Sequence, residues 1–399
     1  MNFGFEDILW ISGLLLLAGI LLNRPSKRFG VPGLILYLSL GTFIGNGGEN
    51  DFLFDFPNIT LKYSELAIGF IIFIGGLETR ISRFKNIALQ GFSLASLGVL
   101  ICSLLVGLFA WLFLGFSFIE GWLLGAIISS TDAAAVFSIL ESNKLKLKEG
   151  ISETLELESG TNDPMAYFLT IALTGVLTGS DAGFFSLSLD FLLGILIGLI
   201  LGLALGRIAV VITQKLRLDI QGLYPLILLS IALIALGISN YLHANVLLTM
   251  YVVGITIGNG KISYRTYSIN FFESISWLME ISLFIILGLQ IFPRQILPFL
   301  GVGITIAAFL MLIARPASVF LALRPFNVSR KKKIFISWIG LRGATPIAFS
   351  LVPLVAGVQH SNEMFNAVFI IVITSILLQG TTLRWAAHKL GLIEASSSD

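Results

Sequence analysis

The chain has a single cysteine, three histidines and few charges. Cys102 lies inside an apolar run, which excludes a disulfide framework and any cysteine-based metal cluster. Histidines at 243, 360 and 388 are too scattered to form a transition-metal site. Charged residues make up 12% of 399, against about one-quarter in an ordinary soluble domain. No basic stretch followed by a small-residue cleavage site opens the chain, so no signal peptide is expected. What fills the sequence instead is hydrocarbon: 56% of the residues are hydrophobic. They fall in runs long enough to span a bilayer, roughly 20 residues each. The expected class is an all-α polytopic membrane protein.

Thirteen spans are read, at 7–22, 31–48, 62–79, 87–113, 119–140, 151–178, 184–212, 221–239, 243–260, 270–291, 296–323, 333–355 and 362–388. Twenty of the 25 Lys and Arg residues fall on one set of alternate links, from Arg24, Lys27 and Arg28 to Arg384 and Lys389. Only Lys62 and Arg294 fall on the other set, and Arg207, Arg315 and Arg342 lie within spans. Merely solvated loops would not alternate, whereas cytoplasmic loops carry such an excess. The expected orientation has the N-terminus outside and the C-terminus cytoplasmic, in a plasma (bacterial inner) membrane, which requires an odd number of spans.

Two distant segments read alike. Ile44-Gly45-Asn46-Gly47 closes the second span and Ile257-Gly258-Asn259-Gly260 the ninth, 213 residues later. Gly75-Gly76-Leu77-Glu78 ends the third span and Leu287-Gly288-Leu289-Gln290 the tenth, 212 later. At that same offset Thr131-Asp132 in span five faces Gly343-Ala344 in span twelve. Seven spans separate the copies, an odd number, so they insert in opposite orientation. The expected repeats cover 7–178 and 221–388, joined by a linker helix at 184–212. Inverted repeats are a mark of secondary transporters, whose substrate site lies at the repeat interface.

Both copies hold an interruption at this place. Ser129-Ser130-Thr131-Asp132 is a run of N-cap residue types followed by three alanines, so span five is expected to open and restart there. In span twelve, Gly340-Leu341-Arg342-Gly343-Ala344 precedes Thr345-Pro346, an N-cap type followed by an N1 proline. The glycines there tolerate unusual backbone angles. Irregular backbone at that depth is tolerated only where protein shields it or a wet cavity adjoins it. A packing face of small residues is the plainer alternative, but it does not account for Asp132.

Span six carries the other acids. Ser159 and Asp163 are four apart, as are Glu158 and Asn162, so each pair shares a helix face. Asp163 lies about 12 residues from the inner end and Asp132 about 8 from its own, so at ~1.5 Å per residue the carboxylates are expected to meet. Pro164 lacks an N–H and frees the Gly160 carbonyl as a further oxygen. Carboxylate, hydroxyl and carbonyl oxygens suit hard alkali cations such as K+ or Na+. Glu158 is shallower, and Arg315 is at matching depth in span eleven. A buried ion pair between them, structural rather than titrating, is expected. Arg342 has a depth-matched candidate partner in Glu280, the alternative being that either faces a water-filled funnel, and Glu78 either lines the cytoplasmic entrance or snorkels to the interface. The histidines lie near span ends, where a solvated role is expected.

The strings Ser-Thr-Asp-Ala-Ala-Ala-Val-Phe-Ser (130–138), Glu-Ser-Gly-Thr-Asn-Asp-Pro-Met-Ala (158–166), Ala314-Arg315-Pro316 and Leu341-Arg342-Gly343-Ala344 resemble monovalent cation:proton antiporters of the NhaP-type branch. Among these the likeness is closest to the bacterial potassium/proton members, and it runs along essentially the whole chain. It implies a homodimer of thirteen-helix protomers, each with a dimerisation and a mobile core domain. It implies Asp163 as the main cation and proton carboxylate, with Asp132, Thr131 and Ser159 around the ion and Glu158–Arg315 as the ion pair. Asn162 occupies the place of a second aspartate in electrogenic relatives, which implies one-for-one, electroneutral exchange. The resemblance implies continuation into cytoplasmic regulatory domains, as in the potassium-type relatives, whereas the sequence stops at Asp399; either that portion was removed or this member lacks it.

The mechanism expected is competition: Asp163 holds a proton or an alkali cation, never both, and the core moves only when one is bound. No cofactor, enzymatic activity or nucleic acid partner is expected beyond the transported ions and membrane lipid. The rivals are a Na+-selective antiporter, a cation channel with the same core, and an intramembrane aspartyl protease using Asp132 and Asp163. The last leaves the repeat, the broken span twelve and Arg315 unexplained.

Overall fold

The structure, a computed structural model, describes residues 4–29, 33–46, 54–84, 87–142, 145, 147–179, 184–216 and 218–393. Gly47, Lys85, Lys144, Lys146 and Arg217 of the motifs and links above lie outside these. Among the described residues every regular element is a helix, with one isolated antiparallel bridge between Leu147 and Ile393. In chain order the helices are α1 (Phe5–Phe29), α2 (Gly33–Ile44), α3 (Pro57–Glu78), α4 (Ala88–Phe113), α5 (Phe118–Ile127), α6 (Ala133–Ser142), α7 (Ile151–Leu177) and α8 (Phe184–Lys215). There follow α9 (Leu223–Tyr241), α10 (Val246–Asn259), α11 (Arg265–Leu289), α12 (Pro293–Ala322), α13 (Arg330–Trp338), α14 (Ala344–Val355) and α15 (Ser361–Leu390). A single helical turn, Ile81–Phe84, follows α3.

Seven of these are long and apolar enough to cross a membrane, namely α3, α4, α8, α9, α11, α12 and α15; α2, α5, α10 and α14 are shorter apolar helices. The 27-residue α7 is long enough, but Glu153, Glu156, Glu158 and Asp163 lower its hydropathy. The apolar runs read from the sequence are thus helical, and two are split: α5 from α6, and α13 from α14. Three helices contain a π turn, at Leu94–Gly98 in α4, Leu310–Ala314 in α12 and Ile376–Gly380 in α15.

Local chemistry explains the helix starts. At α5, Ser117 Oγ accepts the Glu120 N–H (3.3 Å) while the Glu120 carboxylate accepts the Ser117 N–H (2.9 Å), a reciprocal cap. Asn245 caps α10 through the Leu248 N–H and Ser329 caps α13 through the Lys332 N–H.

The chain divides into two compact units. One comprises residues 1–61, 87–178 and 281–399, the other 62–86 and 179–280. In the first, Asn46 Nδ2 donates to the Leu289 carbonyl at 2.9 Å, capping the end of α11. A Cβ on Gly288 would lie 3.0 Å from the Gly41 Cα, so α2 and α11 meet backbone to backbone. In the second, Asn259 Nδ2 donates to the Thr79 carbonyl at 2.9 Å, just past the end of α3. There a Cβ on Gly76 would lie 3.2 Å from the Gly254 Cα. The second unit has its own apolar core, which includes Phe73, Leu228, Ala232, Met250, Val253 and Phe272.

All three histidines are exposed. His360, at the start of α15, places Nδ1 2.9 Å from Glu120 Oε1. The Glu120 hydrogen bond holds the imidazole's pKa above its usual value. A raised folded-state pKa contributes stability below the unfolded value and loses it as pH rises through the folded one. His360→Ala should therefore flatten the loss of thermal stability between about pH 6 and 8; unfolding midpoints in detergent across that range check it.

Candidate functional site

The two helix interruptions meet inside the first unit. The Asp132 N–H donates to the Leu341 carbonyl at 2.8 Å, joining the breaks main chain to main chain. Asp132 also caps α6, its Oδ1 accepting the Ala135 N–H at 3.1 Å. Its other carboxylate oxygen lies where a Cβ on Gly343 would fall, so only glycine fits there. Gly340 likewise leaves room for the Arg315 side chain, whose Nε would lie 2.8 Å from an added Cβ. Neither glycine has a positive φ. Gly343 sits at φ −104° and ψ −146°, outside the regular helical and extended regions, and both glycines also allow close approach.

α7 passes this crossing unbroken through Pro164. Ser159 Oγ donates to the Thr131 carbonyl (2.9 Å) and Asn162 Nδ2 to Thr131 Oγ1 (2.6 Å), fastening the first break onto α7. Asn162 is fully buried, and its Oδ1 has no hydrogen-bond partner among the described residues. Asp163 is 7% exposed. The Ser130 hydroxyl donates to its Oδ1, and Thr345 Oγ1 makes a long approach of 3.5 Å to its Oδ2. Asp132 is near enough to act on Asp163 electrostatically. One buried carboxylate thus receives hydroxyls from both breaks.

One expectation is corrected here. Thr345 does not cap α14, which begins at Ala344 with Gly343 before it and no side-chain cap; the Thr345 hydroxyl turns to Asp163 instead. Arg342, 1% exposed, directs Nη1 at the carbonyls of Ser130 (2.9 Å) and Ser129 (3.3 Å). The interruption frees these carbonyls from helical bonding, and their partial negative charge suits a buried cation. Glu280 is half-buried on α11, and Glu78 is exposed at the end of α3.

Glu158 and Arg315 do come together: Oε1 and Nη2 are 2.6 Å apart, at 1% and 3% exposure. The two groups are close but not aligned as a hydrogen bond. Charge rather than direction holds the pair. Arg315 directly follows the π turn of α12. Ser130 and Thr345, the direct partners of Asp163, were not expected from the sequence.

An all-helical chain with two interrupted helices crossing beside a buried carboxylate has the architecture of a secondary transporter. Two structures of the sodium proton antiporter MjNhaP1 from Methanocaldococcus jannaschii share the fold at 22% identity. One, at pH 8, has a TM-score of 0.83, covering 96% of this chain and 98% of that one. The other, from electron microscopy, has 0.79, covering 97% and 98%. The chain belongs to the family described as "Sodium/hydrogen exchanger, transmembrane", whose model matches residues 13–389. It is an integral membrane protein of a transporter family. It is 37% identical over 382 residues to the K(+)/H(+) antiporter NhaP of Alkalimonas amylolytica, covering 96% of this chain and 66% of that protein. It is 38% identical over 387 residues to the K(+)/H(+) antiporter NhaP2 of Shewanella sp. strain ANA-3, covering 95% and 66%. It is 30% identical over 310 residues to the Na(+)/H(+) antiporter NhaH of Halobacillus aidingensis, covering 75% of each. The chain thus spans just under two-thirds of the length of the two potassium/proton relatives.

Proposed function

We propose that the protein is a secondary antiporter exchanging K+, or Na+, for H+ by alternating access at Asp163. The observation that carries this reading is the buried carboxylate that takes hydroxyl contacts from both interrupted helices. An unpaired anion there is costly in a membrane, and either a proton or an alkali cation neutralises it. Each ligand therefore permits crossing of the apolar barrier while the bare carboxylate does not. Asp132, Thr131, Ser159 and the Asn162 amide oxygen supply further hard oxygen atoms suited to such a cation. Asn162 is neutral, so one charge exchanges for one charge and the cycle is electroneutral.

K+ is favoured over Na+ by the potassium/proton relatives, which match 95% or more of this chain. Thirteen crossings in two inverted repeats, with the N-terminus outside and the C-terminus cytoplasmic in a bacterial inner membrane, complete the reading. The capping asparagines Asn46 and Asn259 and the paired glycines Gly41–Gly288 and Gly76–Gly254, whose counterparts lie 212–213 residues apart, support the repeat. A homodimer is the assembly proposed.

The test is proton flux in liposomes driven by each alkali cation in turn. The expected result is saturable flux with K+ or Na+, at a rate indifferent to an imposed membrane potential. Steady cation current without coupled protons would instead identify a channel. Gly343→Ala probes the crossing itself, since the added methyl falls on the Asp132 carboxylate. Overpacking of about 1–3 kcal/mol should lower flux by roughly 10-fold or more, measured per folded molecule.

A further inference from the structure

Beside the ion site, α15 carries two buried polar side chains that the transport cycle proposed above does not use. Ser375 and Gln379 are each 1% exposed. Gln379 Nε2 donates to the carbonyl of Trp338, the last residue of α13, at 2.7 Å. Ser375 Oγ donates to Gln379 Oε1 at 2.5 Å and accepts the Arg342 N–H at 3.1 Å. One pair of side chains thus satisfies main-chain groups at the start of the second break and within it. The Trp338 indole adds a third tie, donating to Thr382 Oγ1 at 3.0 Å.

The chain of bonds continues toward the carboxylate. Arg342 Nη1 holds the Ser130 carbonyl, and the Ser130 hydroxyl donates to Asp163. Gln379, Ser375, Arg342, Ser130 and Asp163 therefore form one buried hydrogen-bonded series linking α15, both breaks and α7. Gln379 itself lies in the π turn Ile376–Gly380, a distortion that occurs frequently at functional sites. Polar groups at such depth are retained where they hold something in place.

We infer that Ser375 and Gln379 are positioning residues for cation binding at Asp163, acting through Arg342 and Ser130, a role that rests on the antiport reading. Without the Ser375 hydroxyl, the buried Arg342 N–H loses its acceptor, and the backbone at 339–343 shifts to find another. The guanidinium moves with it, and the Ser130 hydroxyl leaves its aligned position on Asp163. The cation site loosens while the helices remain folded.

The test compares Ser375→Ala, Ser375→Thr, Gln379→Leu and the Ser375→Ala/Gln379→Leu double variant of the full chain in liposomes. Loss of one buried hydrogen bond should raise the alkali-cation concentration for half-maximal proton flux about 5- to 10-fold in each →Ala or →Leu variant. Maximal flux per folded molecule should stay within about 2-fold. Ser375→Thr, which keeps the hydroxyl, should behave as the parent. The double variant should be little worse than either single one, because both changes cut the same series. A purely structural role would lower the yield of folded protein or the maximal rate but leave half-saturation unchanged. That result, or Ser375→Thr impaired as badly as Ser375→Ala, overturns the inference. Asp163→Asn in the same liposomes separates the two levels. Flux surviving in Asp163→Asn undoes the antiport site itself. An inactive Asp163→Asn alongside an unshifted Ser375→Ala undoes only the positioning role.

Discussion

Asp163→Asn in proteoliposomes should reduce cation-driven proton flux to the background of empty vesicles. The substitution keeps the shape of the side chain and removes both things the cycle requires, a site for the proton and a charge for the cation. The amide oxygen can keep the Ser130 hydroxyl as its donor, and the amide NH2, in place of the oxygen that Thr345 approaches at 3.5 Å, can donate to the Thr345 hydroxyl instead, so the crossing itself keeps its fastening. Ser159–Thr131, Asn162–Thr131 and Asp132–Leu341 do not involve Asp163 at all. The variant should accordingly fold as well as the parent or better, since a buried carboxylate costs free energy. Inactivity combined with an unfolding midpoint equal to or above the parent's is the informative outcome. Undiminished flux would move the carrier role to another group, of which Asp132 is the nearest. Asp132→Asn is the milder companion: its Oδ1 cap on the Ala135 N–H persists in the amide, and it should weaken cation binding without abolishing exchange.

What the sequence disclosed at this site is what helix geometry and the cost of burial dictate. The spacing of Glu158, Ser159, Asn162 and Asp163 sets their directions on one helix, and α7 is indeed unbroken. Glu158 and Arg315 were legible because an ion at that depth demands a counter-ion, and few were available. The partners that escaped notice are those whose chemistry is common. Any interruption frees carbonyls, so Arg342 could be matched to a carboxylate by depth but not to the oxygens of Ser129 and Ser130. Thr345 resembled a cap because Pro346 follows it, yet the start of α14 depends on how Gly343 packs against Asp132. That is a tertiary contact, invisible to local pattern. Gln379 did leave a signal in the sequence, a lone amide inside an apolar run, where burying it without a partner is costly. The Asn46 and Asn259 motifs were visible as repeated strings. Their shared task of capping a neighbouring helix end arises only from packing between segments far apart in the chain.

Single substitutions of the buried ion pair should be far more damaging than the double one. Glu158→Leu leaves the Arg315 guanidinium 3% exposed with no carboxylate against it, and Arg315→Met leaves the Glu158 carboxylate in the same position. Orphaning one member of a buried pair costs about 3–5 kcal/mol, whereas replacing both by apolar groups of similar volume is often neutral or stabilising. The unaligned 2.6 Å contact strengthens the contrast, because little directional hydrogen bonding is lost when both go. Each single variant should therefore show a lowered unfolding midpoint and little folded protein. Glu158→Leu/Arg315→Met should recover most of both. Flux then decides what the pair does. Glu158 lies five residues before Asp163, on the helix that carries the site. If the pair only orients α7, the double variant exchanges cations for protons at a rate comparable to the parent. A double variant that is stable but inactive would make Glu158 part of the carrier, and the one-proton, one-cation stoichiometry assigned to Asp163 alone would fail with it.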